Sequence, residues 1–158
     1  MHTLFKAFSR GSGSAWATLF PVTYLVHIAE EYLCGGGFPQ YMVKYYHEEM
    51  TEARFVILQL IGLIAMILGL WLSARLRFPK TMLVIMASVV AMNGAVHLIR
   101  SAANVRYEPG LITGLALWLP LGLTTVYLNR AEMSSARLIF SIAIGLAISG
   151  LVELIQAM

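Results

Sequence analysis

The sequence has no aspartate, one cysteine and few charges of either sign. All eight acidic residues among the 158 are glutamates, and charged residues make up only 12% of the chain. That share is about half of what an ordinary soluble domain carries. The single cysteine, Cys34, excludes an internal disulfide and any zinc finger built on CxxC pairs. The eleven basic residues are scattered rather than clustered among aromatics, which argues against a nucleic-acid partner.

Apolar residues are abundant by contrast, at 59% of the chain. Five apolar stretches are long enough to cross the hydrocarbon core of a bilayer, which takes about 20 helical residues. These stretches lie at residues 15–34, 54–75, 79–100, 111–128 and 137–157. Only short connections remain between them. We therefore predict an all-α polytopic bundle of about five transmembrane helices, forming a single membrane domain over residues 1–158 with the lipid bilayer as its surroundings.

The connections contain residues typical of helix ends. The glycines at 35–37 favour termination of the first helix, since glycine accepts left-handed conformations. Residues 40–50 combine tyrosines with a lysine and are suited to the membrane interface. Thr51 is a candidate N-cap for the second long helix. Pro79 and the pair at 109–110 are start signals for the next two helices.

The distribution of Lys and Arg predicts an orientation. With the N-terminus inside, seven basic residues are cytoplasmic: Lys6, Arg10, Arg75, Arg77, Lys80, Arg130 and Arg137. Four are then outside: Lys44, Arg54, Arg100 and Arg106. Cytoplasmic connections carry the excess of positive charge in membrane proteins. We therefore predict an integral membrane protein with a cytoplasmic N-terminus and an external C-terminus.

Polar residues interrupt the apolar stretches at one depth. Ionisable groups within spans are costly and usually face protein or water. The polar residues are His27, Glu30 and Glu31 on the first helix, Gln59 on the second, Asn93 and His97 on the third, Glu108 in a connection and Glu153 on the fifth. Because successive helices alternate in direction, all of these lie in the predicted outer half. We predict a polar pocket that opens toward the non-cytoplasmic side.

Helical spacing places the polar groups on shared faces. His27, Glu30 and Glu31 follow positions i, i+3 and i+4, and therefore form one stripe. Asn93 and His97 are one turn apart. Imidazole and carboxylate groups arranged in this way supply ligands to divalent metals in helical bundles.

The first interpretation of this pocket is a metal-assisted enzyme. Its candidate metal ligands are His27, Glu30, His97 and Glu153, a mixed nitrogen and oxygen set suited to zinc, iron or manganese. The substrate would be a lipid-like or amphiphilic small molecule, because the pocket lies within the membrane.

Two other interpretations remain open. In a metal-free isomerase or cyclase, the catalytic proton transfers would fall to His27, Glu30, Glu31 and His97, while Asn93, Glu108 and Gln59 would bind the substrate. In a proton- or cation-coupled transporter or sensor, the same buried groups would carry the ion. Whether the chain forms a homo-oligomer also remains open. Trp71 and Trp118 are interpreted as membrane filling or interface anchors.

Three segments resemble one known family. His27-Ile28-Ala29-Glu30-Glu31, followed by Phe38-Pro39, is similar to the signature of the HXXEE-motif family of small bacterial membrane proteins. Asn93-Gly94-Ala95-Val96-His97 resembles the family's NxxxH element, and Tyr107-Glu108-Pro109-Gly110 with Thr113 resembles its Pro-Gly segment. The resemblance implies a location in the bacterial inner membrane and supports the choice of site residues. It implies no reaction, since the family has no assigned biochemistry.

Overall fold

The structure, a computed structural model, describes residues 13–47 and 49–157. These residues form helices and contain no strand, so the all-helical prediction is confirmed for them. The helices are α1 (Gly13–Leu33), α2 (Phe38–Tyr46), α3 (Glu52–Arg75), α4 (Pro79–Asn104), α5 (Leu111–Glu132) and α6 (Ser135–Ala157). Lys6 and Arg10, which contribute to the predicted orientation, lie outside the described residues.

Four helices, α3 to α6, are long and apolar enough to cross a membrane. This composition indicates an integral membrane protein. Helix α1, predicted as a further span at 15–34, is not among the four. Its polar residues, including His27 and Glu30, lower the hydropathy of a helix that otherwise has the required length of 21 residues.

The predicted helix ends are confirmed. Helix α1 ends at Leu33, and the three glycines that follow have φ angles of 64°, 88° and 89°. The Thr51 hydroxyl accepts a hydrogen bond from the backbone N–H of Arg54 at 3.1 Å, and so caps α3. Helix α4 begins at Pro79 and α5 at Leu111.

Helix α4 is the centre of the bundle and packs against α3, α5 and α6. The buried hydrophobic core lies around it and comprises Phe20, Met66, Leu83, Ala87, Val90, Trp118 and Leu121. Glycines, among them Gly114 on α5 and Gly145 on α6, permit close approaches to α4. A Cβ atom at Gly114 would lie 3.2 Å from Gly94 Cα, and a Cβ atom at Gly145 would lie 2.6 Å from the Ile85 carbonyl oxygen.

The ends of the helices meet in two groups. At one end, Arg54 at the start of α3 donates to the Ile155 carbonyl near the end of α6. At the opposite end, Lys80 at the start of α4 pairs with Glu132 at the end of α5. The polar residues predicted to share one depth lie toward the first of these ends.

Helix α5 is interrupted near its start. A first α-helical turn, Leu111–Thr113, is followed by a π-helical turn, Gly114–Trp118, and regular helix then resumes at Leu119. The Leu119 N–H donates to the Gly114 carbonyl, five residues back. This wider turn lies where α5 contacts α4, and it sets the direction of the Trp118 side chain.

Candidate functional site

Buried polar side chains from α1, α3, α4 and the connection to α5 meet in one cluster. Its innermost members are His27, Glu31 and His97, which are 1%, 2% and 2% exposed. Single atoms of these three side chains lie within 4.8 Å of one another. The Glu31 Oε1 atom is 3.5 Å from His27 Nε2 and 3.4 Å from His97 Nε2.

These separations suit a shared metal ion. Nitrogen and oxygen ligands lie about 2.1 Å from zinc, so that neighbouring ligands in a tetrahedron are about 3.4 Å apart. Two histidines and one carboxylate occupy three positions and leave one or more for water or substrate. Catalytic zinc sites and non-haem iron sites both use this ligand set.

Glu30 faces away from the three clustered groups. Its Oε1 accepts from the Tyr107 hydroxyl at 2.6 Å and the Ile112 N–H at 2.9 Å. Its Oε2 accepts from the N–H and the hydroxyl of Thr113, at 2.6 and 2.5 Å. Four donors around one carboxylate favour its ionised form, and the N-terminal end of α5 adds a favourable dipole. Glu30 therefore ties α1 to the start of α5.

Tyr107 remains a donor to Glu30 over a wide pH range. Burial and the adjacent Glu30 carboxylate raise the pKa of Tyr107 above its ordinary value. The phenol is accordingly protonated at physiological pH, and the hydrogen bond to Glu30 persists.

Thr113 links Glu30 to His27 and fixes the proton on the imidazole. The Thr113 hydroxyl has one hydrogen, which it donates to Glu30 Oε2. Thr113 Oγ1 lies 2.7 Å from His27 Nδ1, and it must act as the acceptor there. In the neutral imidazole of His27 the proton is therefore on Nδ1, and the lone pair is on Nε2.

The His27 Nε2 atom has no hydrogen-bond partner among the described residues although it is buried. Its neighbour at 3.5 Å is Glu31 Oε1, which is another acceptor. Two buried acceptors facing each other repel, and burial without a partner is costly. A cation between them, either a proton or a metal ion, removes the conflict.

His97 lies between two carboxylates. Its Nδ1 is 3.1 Å from Glu108 Oε1, at an angle too oblique for a hydrogen bond, and its Nε2 faces Glu31. Glu108 is fully buried and also lies 3.6 Å from Arg100 Nη1. The carboxylate of Glu108 favours a proton on Nδ1, which leaves Nε2 free to bind a cation.

Glu31 is also held from its second oxygen. Gln59 Nε2 donates to Glu31 Oε2 at 2.7 Å, and the Tyr24 hydroxyl donates to Gln59 Oε1 at 2.8 Å. Each of the three clustered groups thus has an outer partner on the side away from the others. Thr113 and Gln59 act through hydrogen bonds and Glu108 through its charge, and outer partners of this kind orient metal ligands in proteins.

Trp118 and Gly110 complete the enclosure of the two histidines. The Trp118 ring stacks on His27 with centroids 3.7 Å apart. At Gly110, φ is 96°, and a Cβ atom would lie 2.7 Å from His97 Cε1 and 3.0 Å from His27 Cε1. Only glycine fits between the rings at this position.

A cavity of about 500 Å³ leads away from the cluster. Its polar lining comprises Tyr24, His27, Glu31, Gln59, Asn93 and Trp118 together with Ser149, Glu153 and Gln156 of α6, and the other lining residues are apolar or glycine. Ligand cavities commonly have this composition, with a few polar groups at one place in an apolar wall. The arrangement can hold an amphiphilic molecule with its polar group beside the histidines.

The structure gives the residues selected from the sequence different places. His27, Glu31 and His97 face one another, whereas Glu30 is turned to the start of α5. Gln59 and Glu108 contact the cluster from outside, and Asn93 lines the cavity with its Oδ1 unpartnered among the described residues. Glu153 does not reach the histidines and pairs with Arg100 Nη2 at 2.5 Å.

Sequence reasoning missed several residues of the site, among them Thr113, Arg100 and Trp118. Thr113 and Arg100 act through partners distant in the chain, so neither spacing nor residue type identified them. Trp118, interpreted as filling or an interface anchor, is only 3% exposed and stacks on a histidine. Gly114, Pro120 and Gly122 lie close to Trp118 in the sequence, but they give only a weak signal that it belongs to the site.

An all-helical bundle with four apolar helices of spanning length and a buried histidine and glutamate cluster defines a polytopic membrane protein with an internal polar site. The chain belongs to the family described as proteins of unknown function with the HXXEE motif, whose sequence model matches residues 18–125. His27, Glu30 and Glu31 supply the named positions of the motif. No curated protein and no solved structure matches the chain.

Proposed function

We propose that this protein is a membrane-embedded, metal-dependent enzyme that acts on an amphiphilic substrate. The observation that carries the proposal is the buried His27 Nε2, which has no hydrogen-bond partner among the described residues and faces the Glu31 carboxylate, while Thr113 contacts the other ring nitrogen. A divalent ion bound by His27, Glu31 and His97 satisfies all three groups. Relative to the ligands expected from the sequence, Glu31 takes the place of Glu30 and Glu153.

The proposed ion would activate a water molecule or polarise a substrate oxygen. Zinc, iron and manganese all suit the ligand types. The chain's own residues have separate tasks. Glu30 and Thr113 set the tautomer of His27, Glu108 orients His97, and Gln59 orients Glu31. Asn93 lies in the cavity wall, where it would orient water or substrate.

The same proposal includes a membrane arrangement. Helix α1 would be a fifth span, since its 21 residues have the required length and its polar face lies against the bundle. The chain would lie in the bacterial inner membrane with the N-terminus in the cytoplasm and the C-terminus outside. The site would then lie near the external end of the bundle.

Metal analysis of purified protein tests the proposal. The chain is purified in detergent with its affinity tag removed, and zinc, iron and manganese are measured by mass spectrometry before and after reconstitution. We expect close to one ion per chain in wild type, and loss in His27→Ala and Glu31→Gln. His47→Asn is the matched control, because His47 is exposed and its φ of 58° suits asparagine.

Metal that is absent from wild type after reconstitution with each ion would overturn the metal proposal. His97 between Glu31 and Glu108 would then favour metal-free acid–base chemistry, in which the imidazole carries the cationic proton. Equal metal loss in His47→Asn would show that the metal binds elsewhere. A monodisperse elution profile for each variant separates loss of ligand from loss of fold.

A further inference from the structure

We infer that the cavity takes a single-chain amphiphile whose polar head is an uncharged hydrogen-bonding group, such as an alcohol or an amide, rather than a phosphate or carboxylate. This inference rests on the proposed function for the role of that head beside a metal ion. It names the substrate class from the shape, charge and unpartnered polar atoms of the cavity.

The cavity has the shape of a groove on α4, with α3 and α6 as its walls. Along α3 its lining extends from Leu58 to Gly69, twelve residues, which is about 17 Å of helix. Ile61 on α3 and Val152 on α6 line the groove and are 58% and 39% exposed, so the groove is open between the two helices. A slot of this length, open along its side, fits one hydrocarbon chain inserted from the bilayer.

The charges around the polar end do not favour an anionic head. Of the described residues that line the groove, none is lysine or arginine, whereas Glu31 and Glu153 are both present. Arg100 lies nearby, but its guanidinium already forms ion pairs with Glu108 and Glu153. Glu30, Glu31, Glu108 and Glu153 together carry more negative charge than one guanidinium and a divalent ion carry positive charge. A phosphate or carboxylate head would meet like charge in a poorly hydrated site.

The unpartnered polar atoms at the same end suit a neutral head. Asn93 Oδ1 and Trp118 Nε1 are both buried and have no hydrogen-bond partner among the described residues. Both side chains line the groove. One is an acceptor and the other a donor, and a hydroxyl or amide group can serve both at once. Neither atom supplies charge, in keeping with an uncharged ligand.

Quenching of Trp118 fluorescence tests this inference. Trp16→Phe and Trp71→Phe leave Trp118 as the single tryptophan, and the protein is placed in nanodiscs of zwitterionic lipid. The probes are 2-bromododecan-1-ol and 2-bromododecanoate at equal measured mole fractions in the disc. Because like charge disfavours binding, we expect the alcohol to quench at a mole fraction about tenfold lower than the carboxylate.

Filling the groove supplies the second readout. A Cβ atom at Gly69 would lie 3.4 Å from Met82 Sδ, in ordinary contact, so Gly69→Leu projects into the far end of the groove. Gly150→Leu is the matched control, since nothing lies within 4 Å of a Cβ atom there. We expect Gly69→Leu to weaken quenching by the alcohol at least about fivefold and Gly150→Leu to leave it unchanged, because only the former removes chain volume.

Two outcomes would overturn the inference. Equal or stronger quenching by the carboxylate would show that the head is not selected for neutrality, and equal behaviour of the two leucine variants would show that the chain lies outside the groove. Metal content is measured on the same samples. Alcohol-selective quenching without metal would contradict the proposed metal-dependent enzyme and support the inference of a neutral ligand in the groove. Metal without selective quenching would support the metal site and contradict the inference about the ligand.

Discussion

At the scale of single residues, Thr113 connects two charged or polar members of the site, Glu30 and His27. Its one hydroxyl hydrogen is given to Glu30, and this forces the same oxygen to accept from His27. Thr113 thereby connects the Glu30 carboxylate to His27, and in the neutral imidazole it determines that the lone pair is on Nε2. The pair His27 and Glu30, three residues apart on α1, is coupled through a residue more than eighty positions away.

Replacing Thr113 by valine removes this link while keeping the shape of the side chain. We expect Thr113→Val to bind metal about 10- to 100-fold more weakly than wild type, as is usual when an outer partner of a ligand is lost. Thr113→Ser keeps the hydroxyl and is expected to retain most of the affinity. The measurement is competition against a chromophoric chelator in detergent.

The control for this change is Thr23→Val. Thr23 lies on α1 and its hydroxyl donates to the Leu19 carbonyl of the same helix, away from the cluster. Comparable weakening in Thr23→Val and Thr113→Val would contradict a specific role for Thr113 and indicate a general effect of losing a hydroxyl.

Residue types and spacing predicted the histidine and glutamate stripe, but not which partners its two glutamates contact. Glu30 and Glu31 are neighbours in the sequence and both nearly buried, yet one faces the start of α5 and the other faces the histidines. A rotation of about 100° per residue separates their directions. Which direction leads to which partner depends on the packing of α5, and no local pattern in α1 contains that information.

At the scale of elements, the first turns of α5 position the site. The π-helical turn Gly114–Trp118 brings the Trp118 ring onto His27, and the Gly94 and Gly114 backbones come into contact. A Cβ atom at Gly94 would lie 2.6 Å from the Gly114 carbonyl oxygen. The contact therefore sets how closely α5 approaches α4, and with it the distance from Thr113 to His27.

Adding one methyl group at this contact tests its importance. We expect Gly94→Ala to lower stability by about 1–3 kcal/mol, the usual cost of overpacking, and to weaken metal binding by displacing Thr113. Gly150→Ala is the comparison. It meets nothing within 4 Å, and helix propensity favours alanine there by up to about 1 kcal/mol.

Thermal unfolding in detergent measures both variants. A lower unfolding temperature for Gly94→Ala beside an unchanged or higher one for Gly150→Ala is the expected pattern. If Gly94→Ala unfolds at the wild-type temperature and binds metal as tightly, the close approach of the two helices is not needed for the site.

Helix ends could be predicted from the sequence because their causes are local. Proline at the start of α4, threonine before α3 and glycines after α1 act within one turn of their own positions. The π-helical turn of α5 could not be predicted in this way. It depends on the shift of a hydrogen bond to the fifth preceding residue at the point where α4 presses against α5.

At the scale of the whole molecule, the helix ends fall into two groups at opposite ends of the bundle. Cys34, which follows α1, is exposed at the end that contains the site. Ser134, which precedes α6, is exposed near the opposite end. The lengths of the apolar stretches predicted the long helices, because the ability of a helix to cross a membrane depends mainly on its length and composition. The hydropathy of α1 is lower because the site residues lie on it.

The natural cysteine tests the proposed orientation. We expect Cys34 to react with a membrane-impermeant maleimide in intact spheroplasts, because the proposed arrangement places it outside. Ser134→Cys in a Cys34→Ser background is expected to react only after permeabilisation. Labelling of Ser134→Cys but not Cys34 in intact spheroplasts would reverse the orientation, and labelling of both would contradict the three spans, α3, α4 and α5, that the arrangement places between the two positions.

The side opening of the groove between α3 and α6 has a kinetic consequence. Ile61 and Val152 line the groove and remain exposed, so in the proposed membrane arrangement a molecule would pass between bilayer and site without crossing water. For the proposed enzyme, protein and substrate would then meet by lateral diffusion in two dimensions. The quantity that governs their encounter is the surface density of substrate among the surrounding lipids, and inert lipid dilutes that density even when the amount in the vessel is constant.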